Sequence, residues 1–278
     1  MKNILKIMLM MITIYTITGS AVYAAEIPVS DQDQLITSRD WTEISNLQDE
    51  MKKEEPDATI DYDKALKVYV DCNLIKLQTA DTKKLTSALE SANYVWVIPF
   101  KMEKTYGMFT VAKGLPLREE AKSVLTKAEQ EEVKNHAGKW MITETAEHTV
   151  EPYYDILLEK REALSDCTRV VLVGSQPGMR QPVALGMDDE TARIWISLGY
   201  QYPVMEKIPE TQNVESGVYS FDSVAEISDT YIEDSEVSTG AGVQSRSSMK
   251  YVAGIGIVLI GSILILSVLK KKKIKSED

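Results

Sequence analysis

Residues 94–100 read YVWVIPF and residues 106–112 read YGMFTVA, two apolar runs separated by the polar KMEKT. Both are rich in β-branched and aromatic side chains, so they predict two strands joined as a hairpin. Pro99 has no N–H to give to a ladder, which places the first strand near a sheet edge or end. Downstream, residues 168–174 (TRVVLVG) form an unbroken apolar run, the pattern of a strand buried on both faces. Residues 182–187 (PVALGM) and 192–197 (ARIWIS) read as a further strand pair joined through Asp188, Asp189 and Glu190. Residues 139–144 (KWMITE) alternate as a strand, and residues 65–77 (ALKVYVDCNLIKL) predict one strand or two short ones.

Helical spacing falls between these strands. Trp41, Ile44, Leu47 and Met51 recur at three, three and four, one face of a helix that Pro56 ends. Leu85, Ala88, Leu89 and Ala92 share another face, with Asp81 placed as its N-cap. Thr126 and Glu129 have the spacing of a capping box, and Gly138 is a natural stop. Tyr153, Ile156, Leu157 and Leu164 build a last helix. Strands outnumber helices and most neighbours read as antiparallel. The expected fold is α+β, one mainly antiparallel sheet with inserted helices, over residues 25–205. Residues 25–39 are polar and are expected to be mobile.

The two ends of the chain point to a membrane. Residues 1–24 carry Lys2 and Lys6, then an apolar core, then Val22 and Ala24 as small exit residues, the order of a secretory signal peptide cut after Ala24. Residues 251–269 (YVAGIGIVLIGSILILSVL) hold no charge and are long enough for a transmembrane helix, assigned to 250–269. Lys270, Lys271, Lys272, Lys273 and Lys275 follow at once, which marks a cytoplasmic tail at 270–278. The expected localisation is therefore the cell membrane, single-pass, with the N-terminal domain extracytoplasmic. Residues 206–249, rich in Ser, Thr and acids, read as a stalk, within which residues 217–227 could dock back as a last strand or helix. The short tail holds no signalling domain, so any message to the cytoplasm would pass through a partner membrane protein. No Asn-x-Ser/Thr acceptor occurs, and with the basic leader this leans towards a bacterial surface.

Without the two lysines of the leader and the five of the tail, the exposed part keeps 24 basic side chains against 40 acidic ones. Its formal charge near −16 repels nucleic acid, which is not expected as a partner, and favours basic proteins. Cys72 and Cys167 are the only cysteines. In an oxidising compartment they are expected to pair, closing a loop of 95 residues worth about 4–5 kcal/mol in the chain-entropy model. Two separate buried thiols are the alternative.

Candidate chemistry is sparse. His148, Glu151 and Asp155 could face one way at a helix start, but one histidine with two carboxylates is a weak metal pattern. Cys167-Thr168-Arg169 before VVLVG is faintly similar to the Cys and Arg of sortases. The T-L-x-T-C run of that family is absent, since Leu164-Ser165-Asp166 stands before Cys167. Ile208-Pro209-Glu210-Thr211-Gln212 departs at both ends from the L-P-x-T-G signal that sortases cut. Residues 174–178 (GSQPG) follow a strand, as phosphate loops do, but no Lys-Ser/Thr comes after them. Trp41, Trp96, Trp140 and Trp195 are read as packing first and as an aromatic binding face second. No catalytic, cofactor-binding or metal residue is assigned, and no cofactor is expected. The expectation is a membrane-anchored surface protein whose acidic ectodomain binds a protein partner or an extracellular ligand. The alternatives are a structural or envelope-maintenance component and, third, an exported enzyme.

Overall fold

Ten strands form one mixed, mainly antiparallel sheet in the order β5-β4-β3-β2-β6-β7-β8-β10-β9, with β1 paired to the end of β3. The structure is a computed structural model and describes residues 27–228 except 149–150, 175, 177–178, 180, 200–203 and 210–212. In chain order the strands are β1 Thr59–Ile60, β2 Leu66–Val70, β3 Asn93–Lys101, β4 Tyr106–Lys113 and β5 Trp140–His148. They continue with β6 Arg169–Val173, β7 Val183–Met187, β8 Ala192–Ser197, β9 Asn213–Glu215 and β10 Val218–Ser220. The helices are α1 Trp41–Ile44, α2 Gln48–Glu54, α3 Thr82–Ser91, α4 Glu119–Lys122, α5 Lys127–His136, α6 Tyr153–Glu159 and α7, residues 221–228. The fold is thus α+β with one large, mainly antiparallel sheet.

The expected hairpin is β3–β4, in register from Val95↔Ala112 to Lys101↔Tyr106. Pro99 sits differently from its expectation, because β3 is an interior strand. On that side β2 reaches only to Val97, and β1 resumes at Phe100. The Pro99 carbonyl accepts from Asp61 N–H at 2.9 Å. A residue's N–H and C=O leave an extended strand on the same side, so the donor that proline lacks falls in the break between β2 and β1.

The centre of the sheet is a single parallel pair, β2 and β6, aligned at Val68↔Leu172 and Tyr69↔Val173. From this pair two antiparallel meanders run outward, one through β3, β4 and β5, the other through β7, β8 and β10. Alternation decides which face each residue enters. On the front face, Trp96, Ile98, Phe100, Phe109 and Val111 pack under Leu35, Ile44 and Met51, the buried side of α1 and α2. Further along that face, Val171, Val173, Leu185 and Trp195 pack under Leu85 and Leu89 of α3 and Phe221 and Val224 of α7. On the back, Leu66, Val68, Val170, Leu172 and Ala184 meet Tyr153 and Leu157 of α6. The apolar run of β6 is therefore buried on both faces, as its composition requires.

Local signals hold where they were strongest. Asp81 caps α3 by accepting from Lys83 and Lys84 N–H at 2.9 and 3.2 Å. Thr126 and Glu129 form the capping box of α5. Residues 217–227, the part of the acidic stretch able to dock back, supply β10 and most of α7. Val218, Phe221 and Val224 enter the core, and β10 pairs with β8 through Tyr219↔Trp195. Residues 27–37 are not a loose tail. They thread the seam between the two meanders, for a reason set by charge and described below. Among the described residues no helix is long and apolar enough to cross a membrane; the expected span at 250–269 lies outside them, as does the leader.

Gly107 shows how tightly the front face is built. A Cβ there would lie 2.1 Å from the Phe100 ring, which covers the glycine across the β3–β4 pair. Gly107→Ala is expected to destabilise the protein by about 1–3 kcal/mol through overpacking. At Gly174 an added Cβ meets its nearest atom at an ordinary 3.6 Å, so Gly174→Ala should cost much less. Paired urea denaturation curves of the two variants would decide it.

Candidate functional site: a buried charge and aromatic cluster at the central seam

β2 brings two polar side chains, Lys67 and Tyr69, onto the front face, and β6 brings Arg169 at its first residue. Where β2 and β6 begin, they are not paired with each other. The N-terminal arm fills the opening instead. Pro28 C=O accepts from Val170 N–H at 2.7 Å, and Leu35 N–H donates to Ala65 C=O at 3.1 Å. Val29 bridges to Val170 in parallel and Gln34 to Leu66 in antiparallel fashion. Ile27 and Val29 sit in the back cluster and Leu35 in the front one, so the arm passes from one face to the other.

Asp33 is carried into this seam at the turn of the arm and is 2% exposed. Its Oδ1 accepts from the Tyr69 hydroxyl at 2.7 Å and lies 3.4 Å from Lys67 Nζ. Its Oδ2 accepts from Ser30 Oγ at 2.6 Å and from Arg169 at 3.1 Å. One carboxylate thus faces two cations, one from each half of the sheet. Burial by itself would raise the Asp33 pKa. The bonds from Ser30 and Tyr69 and the charges of Arg169 and Lys67 outweigh it, and hold the carboxyl below the usual range.

Lys67 also donates to the Gln32 carbonyl, and its ammonium lies 4.7 Å from the ring centre of Tyr94 and 5.2 Å from that of Trp96. Rings at this range attract a cation through their quadrupoles. Burial nonetheless lowers the Lys67 pKa, despite the nearby carboxylates of Asp33 and Asp40. Asp40 completes the layer by accepting from the Tyr94 hydroxyl at 2.8 Å and Trp96 Nε1 at 3.1 Å. Among the described residues Arg169 Nε finds no hydrogen-bond partner, an orphan donor at the rim of the network.

At the opposite end of the pair, β2 leads to β3 on one side and β6 to β7 on the other. Gln176, which is 3% exposed, fills the gap between the departing strands. Its Oε1 accepts from Leu74 N–H at 3.0 Å, and its Nε2 donates to the carbonyls of Cys72 and Gly174 at 2.6 and 2.9 Å. Gln176, just after β6, therefore pins the loop after β2.

The sequence candidates are scattered by the fold. His148 ends β5 opposite Tyr106 and does not open a helix. Asp155 lies in the first turn of α6 and accepts from Lys64 at 2.8 Å. Among the described residues no group of three or more His, Cys, Asp and Glu side chains could hold a metal ion. Two of the tryptophans converge, Trp96 and Trp140, at 6.3 and 5.8 Å from Tyr94. Trp195 stacks on Phe221, and Trp41 meets Tyr62 edge-on.

Cys72 and Cys167, considered above as a disulfide, are separate thiols in this structure. The sheet stands between them: Cys72 packs against the front cluster and Cys167 lies within the back one. Burial pushes each thiol up to about 11. A cysteine and an arginine two residues apart on a strand leave on the same side only if the strand is regular between them. Cys167 precedes β6, and Arg169 engages Asp33 on the far face, so the pair does not form a site.

The Asp33 cluster has no counterpart among the sequence candidates. Its signal was present: Lys67 in ALKVYV and Arg169 before VVLV are lone cations in strands otherwise apolar, and buried cations require a carboxylate. What the sequence did not show is which of 40 acids supplies it. Compared with family models, curated proteins and solved structures, the chain matches none.

Two outcomes follow from this geometry. Asp33→Ala leaves a buried lysine and a partly buried arginine without their counter-charge and should cost about 3–5 kcal/mol in denaturant unfolding. In the wild type the folded carboxyl titrates below its unfolded value. Its contribution is therefore complete above about pH 4 and is lost as pH falls through the folded-state pKa. Asp33→Asn should lack that acid-side step when stability is followed against pH. For the cysteines, Ellman titration should find both thiols slow to react in the native chain and two free thiols after denaturation without reductant. A single disulfide in the purified protein would contradict that.

Proposed function

We propose that the chain is an exported, single-pass membrane protein whose acidic extracytoplasmic domain binds a protein partner. The observation that carries this reading is the closure of the seam. In the described part of the molecule the densest set of charged and aromatic groups is occupied by its own members. Asp33 has four partners, Lys67 has Asp33, Gln32 and three facing rings, and Asp40 holds Tyr94 and Trp96. Such a network gives rigidity, and leaves the exposed acidic surface as the feature offered to other molecules.

The placement in a membrane rests on residues 1–24 and 250–278. A basic start, apolar core and small exit residues support cleavage after Ala24, and the uncharged stretch before the lysine cluster supports one span with the tail in the cytoplasm. Ile27, 3% exposed, begins the docked arm only two residues beyond that cut, so cleavage would leave almost no loose N-terminus. Residues 229–249 then serve as the stalk between α7 and the span. A partner in the same membrane would make the chain an accessory subunit; a structural role in the envelope is the alternative.

The test is in-cell crosslinking of the full-length chain carrying a C-terminal tag, followed by purification and mass spectrometry. One membrane protein recovered in near-equal amount is expected. Protease added outside intact cells should at the same time remove the domain and spare the tag. Failure to recover any reproducible partner would leave the binding reading without support.

A further inference from the structure

Nine residues of β5 form one border of the sheet, bonded to β4 on one side only. The opposite border, β9, has three residues. Long open edges are normally blunted by proline, lysine or a bulge. Residues 140–148 hold neither proline nor lysine. A bulge is present at Thr143, which has no partner between Thr110↔Glu144 and Val111↔Ile142. Beyond it the ladder is regular from Glu144 to His148. No backbone or side-chain hydrogen bond from elsewhere in the described residues reaches the outer backbone groups of this stretch.

The charges that β5 itself carries are acidic. Between Lys139 and Lys160 the sequence contains no lysine or arginine. Glu144 and Glu147 are exposed on the strand itself, and Glu151 is exposed just after it. Glu144 pairs with Thr110 and shares the back side, while Glu147 lies opposite Gly107 on the front. Glu54 reaches the same edge from α2, accepting from the Thr145 hydroxyl.

We infer that the outer edge of β5, over residues 144–148, receives an extended basic segment of the partner protein as an added strand. Main-chain bonds to the open edge supply affinity, and lysine or arginine on both faces of the incoming strand answers Glu144 and Glu147. A second copy of this chain fits poorly, since it would bring the same acidic strand, with its own Glu144 and Glu147, against this edge. The chain's own residues 229–249 fit poorly too, with Asp229, Glu233, Asp234 and Glu236 against one arginine. The inference rests on the partner-binding reading above and names the surface through which it acts.

The probe is a fluorescent heptapeptide of lysine, valine and threonine with lysines on both faces, titrated by anisotropy against the full-length chain in detergent. A twin peptide, N-methylated at every amide, has the same charge and no N–H to donate. The first should bind, more weakly as salt rises, and the twin should not. The double variant Glu144→Lys with Glu147→Lys should bind the first peptide at least about tenfold more weakly. Both substitutions are at exposed positions, so native near-ultraviolet circular dichroism checks that the fold is kept. Equal binding of the twin, equal binding by the variant, or no binding at all would overturn the inference. Self-association of the wild type that the peptide competes away would overturn it in favour of a second copy. Repeating the crosslinking with the double variant keeps the two readings apart. A partner held equally by both chains removes the β5 edge from the interface and leaves partner binding standing. A wild type that holds none removes the partner reading itself.

Discussion

A carboxylate that must neutralise two cations from two different strands holds this fold at its middle. Among the described strands β2 and β6 are the one parallel pair, and each brings one positive group to the front face. Without a counter-charge, Lys67 and Arg169 would be buried beside each other in a region walled by Tyr69, Tyr94 and Trp96, a costly arrangement at low dielectric. Asp33 resolves it, and to reach that position residues 27–37 must enter the opening between the strands. The arm's backbone bonds to Val170 and Ala65, and its crossing from the back cluster to the front, follow from that one requirement. Replacing the whole set by apolar residues of similar size would remove the desolvation cost, but also the reason for the arm to take one place only.

The same seam explains why the front face has two apolar clusters and the back has one continuous one. On the front, the charged and aromatic layer stands between the residues under α1 and α2 and those under α3 and α7. On the back, Leu66 and Val68 of β2, Ile27 and Val29 of the arm and Val170 and Leu172 of β6 form one cluster that α6 covers. The two cysteines fall on opposite faces of the sheet and at opposite ends of its central pair, Cys72 after β2 and Cys167 before β6.

Much of the local structure was legible from short-range rules. The β3–β4 hairpin, the doubly buried β6, the Asp81 cap and the Thr126–Glu129 box depend on residues within a few positions of one another. Helix expectations failed in detail where tertiary contacts intervene. The face made by Trp41, Ile44, Leu47 and Met51 is kept, but as two short helices joined by a single tight turn at Ser45–Leu47. His148, read as opening a helix, extends β5, because ladder pairing with β4 carries on past residue 144. Pro99 obeys its rule through a break between two partner strands, which only the assembled sheet reveals. The central cluster was the least legible feature. Polar residues 25–39 gave no periodic signal, and Asp33 acquires its role from Lys67, Tyr69 and Arg169, at 34, 36 and 136 positions' remove.

That last separation sets an order in time. In a chain that emerges from its N-terminus, the arm comes first, β2 soon after, and β6 only after residue 169 is free. Until then Asp33 lacks Arg169, Val170 is absent from the side of Pro28, and the second meanders' core does not exist. The back-face residues Ile27, Val29, Leu66 and Val68 must wait for a strand made more than a hundred residues later. Contacts of such long range slow folding, because loop closure comes before any reward. On the exported reading proposed above, a chain threaded through a membrane gains from that delay: its leading arm cannot dock before β6 arrives.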